Sequence, residues 1–192
     1  MEFIGIEKLF ESRFITRYNV KYRTSDGSIK NYEMVSRSSD VNTLEDLQNH
    51  NAQAVVLIIH DVTGNKILLN KEYRMAVGDY AYNFPAGLID PGEDYQTASA
   101  RELWEETGLK LTKITDIWPM SFSAVGITNE RSVVVVGVAE GEFAPSTSAE
   151  EEIEASWFTK EQMKEMLATC ENFASRTQAY CWCWANSEGF NK

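Results

Sequence analysis

Residues 101–108 read RELWEETG and place three glutamates, Glu102, Glu105 and Glu106, at helical spacing in one short stretch. At about 100° per residue the three carboxylates share one side of a helix. Like charges at such neighbouring positions repel each other. A second side has the apolar spacing i, i+3, i+4, i+7 of a packed helix, with Ala100, Leu103, Trp104 and Thr107. The stretch therefore predicts a helix with one packed side and one acidic side.

Two interpretations of the acidic side are open from these residues alone. It can be an ordinary solvated face, in which Arg101 and Glu105 form an i, i+4 ion pair. It can also be a site for a hard cation, because converging carboxylates raise each other's pKa unless a metal compensates. Mg²⁺ prefers oxygen ligands and keeps several waters, so a few carboxylates together with phosphate oxygens suit it.

The wider sequence favours the cation site. From Gly87 to Leu109 the chain reads GLIDPGEDYQTASARELWEETGL: a glycine, five residues, a glutamate, seven residues, and then R-E-apolar-x-E-E-x-G-apolar. This stretch resembles the Nudix box, the signature of the Nudix hydrolase family, at every fixed position. The strand–loop–helix context that the motif needs is also predicted. Asp94 is the expected N-cap of the helix, and Gly108 is expected to end it in a left-handed turn.

The order of predicted elements resembles the whole Nudix fold, an α/β/α sandwich around a mixed sheet. Two strands joined by a turn at 25–27 come first, followed by a polar connector over 38–52, and Thr159 with Gln162 predicts a capping box that opens a late helix. Strands are expected at 14–23, 28–37, 54–61, 66–74, 110–118, 131–139 and 152–158, with a strand and loop within 75–93, and helices at 94–107, from 159 and at 174–186.

We expect a small N-terminal antiparallel β subdomain over residues 1–45 and a Nudix hydrolase domain over residues 46–192. A lone hairpin is marginal in water, so residues 1–45 are expected to serve dimerisation and substrate contact.

The resemblance also implies a set of site residues. Metal ligands would be the three glutamates and the backbone carbonyl of Ala86. Arg101 would orient the acidic cluster and pair with Glu93, so that Glu105, Glu106 and Arg101 count as catalytic. The motif residues Gly87, Glu93 and Gly108 would be structural, and Leu103 and Leu109 would be core anchors. The implied cofactor is Mg²⁺ or Mn²⁺, which neutralises the charge of a diphosphate.

Three further stretches resemble the ADP-ribose and ADP-sugar pyrophosphatases. They are FPAGLIDPGE at 84–93, KEYR at 71–74 and GITNE at 126–130. Arg74 and Glu130 are the implied substrate-binding residues. Val125 and Asn83 depart from this group, which often has a proline and an acid there. The implied reaction is metal-dependent hydrolysis of ADP-ribose or an ADP-sugar to AMP and a sugar phosphate. The alternatives are a pyrophosphatase of GDP-mannose, a dinucleoside polyphosphate or a damaged nucleoside triphosphate, and a non-catalytic nucleotide-binding module.

The general base is expected on a late acidic loop. Residues 146–156 read STSAEEEIEAS and offer Glu150, Glu151 and Glu152 between two strands. A mobile loop that closes over substrate suits this role, and an exposed acidic loop is the alternative interpretation. Of the three we favour Glu151.

Composition limits the partners. The formal net charge of −11 gives no counterion-release affinity for nucleic acid, so no nucleic-acid partner is expected. We also expect no membrane partner, because no apolar run reaches the length of a membrane span. The N-terminus lacks the features of a signal peptide, and the three cysteines indicate reduced thiols and a cytoplasmic location. The expected assembly is a homodimer.

Overall fold

The structure is a computed structural model, and it describes residues 1–187. The chain divides into two compact units. The first unit consists of Met1–Gln53 and Met120–Ser132, and the second of Ala54–Pro119 and Val133–Lys192. The last residues of the predicted Nudix domain, 188–192, lie outside the described part.

The first unit contains a three-stranded antiparallel sheet with the order β1-β2-β3. Its strands are β1 (Glu2–Glu11), β2 (Thr16–Arg23) and β3 (Ile29–Ser36). The hairpin of β2 and β3 agrees with the predicted pair of strands, whereas β1 was not predicted. Register shifts between Phe3 and Gly5 and between Lys8 and Phe10 interrupt β1, so its side chains do not alternate regularly. The core of this unit is formed by Tyr18, Val20, Met34 and Val41.

The predicted connector contains one short helix, α1 (Leu44–Gln48). A capping box starts it: the Thr43 hydroxyl accepts from the Asp46 backbone N–H at 3.1 Å, and the Asp46 carboxylate accepts from the Thr43 N–H at 2.9 Å. The sequence predicted a polar connector here and did not predict this helix. The capping side chains stabilise a helix that has no buried residue of its own.

A seven-stranded sheet has the order β10-β5-β4-β9-β8, with β6 paired to β5 and β7 paired to β4. Its strands are β4 (Ala54–His60), β5 (Lys66–Arg74), β6 (Asp79–Asn83), β7 (Ala86–Leu88), β8 (Lys110–Phe122), β9 (Arg131–Glu140) and β10 (Ile153–Thr159). Three helices follow in the second unit: α2 (Tyr95–Thr107), α3 (Lys160–Thr169) and α4 (Ser175–Asn186). As predicted, Thr159 caps α3 in a capping box with Gln162. None of the helices within residues 1–187 has the length and apolar character needed to cross a membrane.

In the second unit the sheet separates two helical layers. On β4, Val56 and Ile58 pack with Met163 of α3 and Trp184 of α4 in one buried cluster. Successive side chains of a strand point to opposite faces, so the fully buried Leu57 belongs to the other face. Helix α2 packs there, against β4 and β7. This arrangement agrees with the predicted α/β/α sandwich.

Helix α2 begins and ends where the sequence predicts. The Asp94 carboxylate accepts from the Thr97 N–H at 2.8 Å, and Gly108 has a φ of 76°. The predicted packed side is only partly correct. Leu103 and Thr107 are fully buried, but Trp104 is 56% exposed. Ala100 is exposed as well, and the buried side instead includes Ala98, Ser99 and Glu106. The helix is thus turned so that part of its acidic side faces the sheet.

Candidate active site

Strand β5 presents polar side chains to helix α2. Ile67 and Leu69 belong to the buried cluster with α3 and α4, so alternation turns Asn70 and Glu72 toward the opposite face. The Asn70 side-chain amide donates to Glu106 Oε2 at 2.8 Å, and both residues are buried. The buried side of α2 therefore faces polar side chains of the sheet, those of Asn70 and Glu72.

Glu106 is the most deeply placed carboxylate of the acidic helix, with 5% of its surface exposed. Burial raises its pKa well above the usual value, and the charges of Glu72, Glu102 and Glu151 raise it further. A hydrogen bond from the backbone of Ala86 acts in the opposite direction. A buried carboxylate among other carboxylates remains ionised only where positive charge compensates.

Glu102 lies directly against Gly87, the first residue of the motif. A Cβ atom on Gly87 would lie 1.9 Å from Glu102 Cδ. Gly87 itself is held in β7, where it pairs with Val55 of β4. Burial raises the pKa of Glu102, and the charges of Glu105 and Glu151 act in the same direction. Glycine at position 87 therefore lets the carboxylate approach the backbone.

Arg101 ties the acidic cluster to the loop before the helix. Its guanidinium makes a two-bond contact with Glu93, at 3.0 Å from Nε and 2.8 Å from Nη2. Nη1 donates to Glu102 at 2.8 Å and to Glu105 at 3.1 Å, and Nη2 donates to the Leu88 carbonyl at 2.9 Å. Hydrogen bonding to Arg101 in turn lowers the pKa of Glu93. Arg101 thus contacts three glutamates of the motif, Glu93, Glu102 and Glu105. Its catalytic role stays a prediction.

The donor set fits a hard divalent cation. Within residues 1–187 no three His, Cys, Asp or Glu side chains already surround one point in metal-binding geometry. Arg101 donates hydrogen bonds to Glu102 and Glu105. The available donors are nonetheless all oxygens, which suits Mg²⁺ or Mn²⁺. Asn70 Oδ1 is a further one: it is buried and has no hydrogen-bond partner in the described part of the chain. The mutual repulsion of the carboxylates is what a bound cation would relieve.

A cavity of about 290 Å³ brings several predicted site residues together. Glu106 and Ala86 line it, together with Arg74 and the three glutamates Glu150, Glu151 and Glu152. Arg74 has 56% of its side chain exposed. A partly exposed guanidinium beside buried carboxylates can bind phosphate oxygens while a cation bridges the anions.

The three loop glutamates differ in their surroundings. Glu151 raises the pKa of both Glu102 and Glu106, and Ser146 Oγ lies 3.3 Å from its Oε2. The Glu152 carboxylate instead accepts a hydrogen bond from the Tyr80 hydroxyl. These contacts are consistent with the preference for Glu151.

Glu130, the other predicted substrate-binding residue, lies in the first unit. Its carboxylate pairs with Arg37 Nε at 2.6 Å and accepts from Ser123 Oγ at 3.0 Å. A role in substrate binding stays a prediction for this residue.

Asn70 and Glu72 were not among the site residues predicted from the sequence. Both lie outside the motif, and Glu72 is only 9% exposed. The available signal was three polar residues two positions apart, Asn70, Glu72 and Arg74, directly after the apolar residues 67–69 of the same strand. The departure at Asn83 also has a structural counterpart, because the Asn83 amide donates to Glu72 Oε1 at 3.0 Å. The acid that the ADP-ribose and ADP-sugar pyrophosphatases often have at the position of Asn83 is thus absent from β6. The neighbouring strand β5 instead has a carboxylate, that of Glu72.

These residues and their order along the chain match a known domain. A model of the NUDIX domain matches residues 50–178. The chain belongs to the NUDIX family. It is 42% identical over 80 residues to the ADP-ribose pyrophosphatase of Saccharomyces cerevisiae, over 42% of this chain and 34% of that protein. It is 28% identical over 132 residues to the ADP compounds hydrolase NudE of Escherichia coli, over 69% of this chain and 63% of that protein.

A solved structure supports the same fold. The crystal structure of an ADP compounds hydrolase matches with a TM-score of 0.70 at 20% identity, over 95% of this chain and 91% of that chain. The predicted family and NUDIX fold are therefore confirmed. The chain spans less than two thirds of the length of the first curated relatives it matches, at 59%, 58% and 34%.

Proposed function

We propose that this NUDIX protein hydrolyses the diphosphate linkage of ADP-ribose or an ADP-sugar and gives AMP and a sugar phosphate. The observation that carries the proposal is the cavity in which the buried Glu106 shares one space with Arg74 and Glu151. The names of the relatives, an ADP-ribose pyrophosphatase and an ADP compounds hydrolase, support the substrate class.

The chain's own residues have distinct tasks in this reaction. Glu102, Glu105 and Glu106, with the Ala86 carbonyl, would hold Mg²⁺ or Mn²⁺. The cation supplies neutralisation of the diphosphate charge and of the charge that develops at phosphorus. Arg101 keeps the carboxylates in place through its bonds to Glu93, Glu102 and Glu105.

The remaining tasks are binding the substrate and removing a proton. Arg74 stands at the same cavity as Glu106 and clamps phosphate oxygens with its guanidinium. Glu151 takes the proton of the attacking water, because it lines the same cavity as Glu106 and Arg74.

A substrate panel tests this proposal. Purified protein is incubated with Mg²⁺ or Mn²⁺ and with ADP-ribose, ADP-glucose, GDP-mannose, a dinucleoside tetraphosphate or a nucleoside triphosphate. The nucleotide products are then separated from the substrates and quantified by anion-exchange chromatography. We expect ADP-ribose or an ADP-sugar to give the highest kcat/KM, and we expect EDTA to abolish the activity. A tenfold higher kcat/KM for GDP-mannose or a triphosphate would refute the substrate class, and full activity in EDTA would refute the metal site.

The assembly and location of the protein are part of the same proposal. We propose a cytoplasmic homodimer, without nucleic-acid or membrane partners, in which residues 1–45 serve dimerisation and substrate contact and residues 46–192 are the NUDIX domain. Large apolar side chains near the end of β1 support a covered surface, since Phe10 and Phe14 are each 65% exposed. Light scattering of a dilute sample is expected to give about twice the monomer mass. An active monomer would contradict this part.

A further inference from the structure

Glu72 is a nearly buried carboxylate that the NUDIX motif does not contain. It lies on β5, fifteen positions before Gly87, and 9% of its surface is exposed. Burial of an ionisable side chain is costly unless a partner compensates for its charge. The contacts of Glu72 therefore indicate what that partner is.

Glu72 shares a cavity with the motif's own buried glutamate. Glu72 and Glu106 line the same cavity of about 290 Å³. Two carboxylates that are withdrawn from water and face one cavity repel each other strongly.

Two asparagines hold these carboxylates in the same way. Asn70 donates to Glu106 Oε2 at 2.8 Å, and Asn83 donates to Glu72 Oε1 at 3.0 Å. Asn70 and Asn83 are direct partners in the pairing of β5 with β6. Each asparagine amide thus donates a hydrogen bond to one oxygen of one carboxylate and holds that carboxylate in place.

The orientation of Asn83 is fixed from its other side. Its Oδ1 accepts from the hydroxyl of Thr177 on α4 at 2.9 Å and from the Phe84 N–H at 2.9 Å. Its side-chain N–H₂ group consequently faces Glu72. Glu72 is therefore held in place by a chain of hydrogen bonds that begins on a helix on the other face of the sheet.

We propose that Glu72 is a further cation-binding carboxylate, which shares with Glu106 the charge of a divalent cation held in this cavity. The inference rests on the proposed metal-dependent function. Cation binding explains why Asn83 holds a second carboxylate at the cavity of Glu106. Asn70 Oδ1, which is buried and has no hydrogen-bond partner within residues 1–187, would supply a neutral oxygen to the same cation.

The competing explanation is that Glu72 only anchors Arg74. The contact between Arg74 Nη1 and Glu72 Oε2 is long, at 3.4 Å, and the arginine side chain is more than half exposed. A single long contact from an exposed guanidinium leaves the nearly buried Glu72 carboxylate poorly compensated. An anchoring role and a cation-binding role also predict different effects of substitution at position 72, which makes them separable.

Direct binding of Mn²⁺ to the full chain without substrate tests the proposal. Free Mn²⁺ is followed by its electron paramagnetic resonance signal for the wild type, Glu72→Gln, Glu72→Asp and Glu165→Gln. Glu165 is an exposed residue of α3 and provides a matched change of charge. We expect Glu72→Gln to weaken binding about 10- to 100-fold, Glu72→Asp to retain more affinity because it keeps the charge, and Glu165→Gln to bind like the wild type. Binding by Glu72→Gln within twofold of the wild type would overturn the proposal.

Thermal unfolding separates the two explanations further. In EDTA, Glu72→Gln removes the repulsion with Glu106 while its amide oxygen still accepts from Asn83, so we expect its Tm to equal or exceed that of the wild type. Saturating Mn²⁺ should then raise the Tm of the wild type by more than that of the variant. A lower Tm in EDTA with an unchanged Mn²⁺ shift would show an anchoring role and refute cation binding.

The outcomes also distinguish this inference from the proposed reaction. If the wild type hydrolyses ADP-sugars and Glu72→Gln binds Mn²⁺ normally, only the role of Glu72 fails. If Glu72→Gln loses Mn²⁺ affinity but the wild type hydrolyses none of the panel, only the reaction fails. A wild type that binds no Mn²⁺ overturns the inference outright.

Discussion

The carboxylate of Glu102 occupies the space that a side chain on Gly87 would fill. The two oxygens of Glu102 would lie 2.1 Å, and its Cδ 1.9 Å, from a Cβ atom at position 87. Nothing in the backbone of Gly87 requires glycine, because its φ lies outside the left-handed region. The requirement is steric, and it links the glycine at the start of the motif to a glutamate fifteen residues later.

The substitution Gly87→Ala is therefore expected to displace Glu102 without unfolding the protein. The atoms in the way belong to the end of a flexible side chain, which can rotate away. We expect Mn²⁺ affinity and kcat to fall at least about tenfold, with a Tm in EDTA close to that of the wild type. Gly5→Ala is the matched control, since a Cβ there meets nothing within 4 Å. Unchanged Mn²⁺ binding by Gly87→Ala would show that the position of Glu102 is unimportant for the cation.

Arg101→Lys is expected to destabilise the second unit although it keeps the charge. A lysine ammonium cannot reproduce the two-bond contact with Glu93 and also reach Glu102 and the Leu88 carbonyl. Hydrogen bonds to charged groups contribute about 1.5–3 kcal/mol each, so we expect the free energy of unfolding in EDTA to fall by about 2 kcal/mol. Urea denaturation measures it.

Arg17→Lys is the control for this change. Its ion pair with Glu33 is 3.7 Å long, and both side chains are more than half exposed. Surface pairs of this kind contribute about 0–1 kcal/mol. An equal loss of stability in the two variants would contradict a special role for the Arg101 contacts.

The three acidic loop residues should differ in their effect on catalysis. Glu151→Gln is expected to lower kcat for the best substrate about 10²- to 10⁴-fold, the contribution of a general base. Glu150→Gln and Glu152→Gln are expected to retain kcat within a few-fold, since Glu152 is bonded to Tyr80 instead. The measurement is steady-state kinetics at saturating metal for the three variants side by side. If the large loss follows Glu150 or Glu152, the assignment of the base to Glu151 is wrong.

Local signals predicted the acidic helix well, because its ends depend on neighbouring residues. The cap at Asp94 and the left-handed Gly108 are both present. The direction in which the helix faces was not predictable in the same way. Trp104 is exposed and Glu106 is buried because Asn70, on a strand far away in sequence, receives the Glu106 carboxylate. Apolar spacing alone assigns tryptophan to the core and glutamate to water.

Asn70 and Glu72 were not predicted as site residues because their positions also depend on contacts between residues far apart in the sequence. Glu72 is next to the motif only because β5 and β6 pair and Asn83 is turned toward it. In the first unit, β1 escaped prediction because its two register shifts break the alternation by which strands are recognised. The family, by contrast, was readable from the spacing of one contiguous stretch.

His60 gives the protein a pH-dependent stability that is independent of the catalytic cavity. Its ring lies 3.5 Å from the Tyr180 hydroxyl and 5.8 Å from the centre of the Trp184 ring. Burial lowers the pKa of His60 below its ordinary value, and nearby Lys160 acts in the same direction. The unfolded chain, with a histidine pKa of about 6.5, therefore binds the proton at a higher pH than the folded chain. The stability that neutral His60 contributes is complete above about pH 6.5 and is lost as the pH falls from there toward the folded-state pKa.

Comparison of the wild type with His60→Gln isolates this effect from the titration of the carboxylates. We expect the difference in free energy of unfolding, wild type minus variant, to decrease between pH 7.5 and pH 5.5. Each unit of separation between the folded and unfolded pKa corresponds to about 1.4 kcal/mol. His50→Gln serves as the control, because His50 is exposed and its difference from the wild type should stay constant. Urea denaturation of the three proteins at both pH values gives the free energies of unfolding from which these differences are calculated. A difference for His60→Gln that does not change with pH would mean that the folded protein accommodates the imidazolium without cost, for example by turning the ring toward Asp61, whose charge already favours the protonated form.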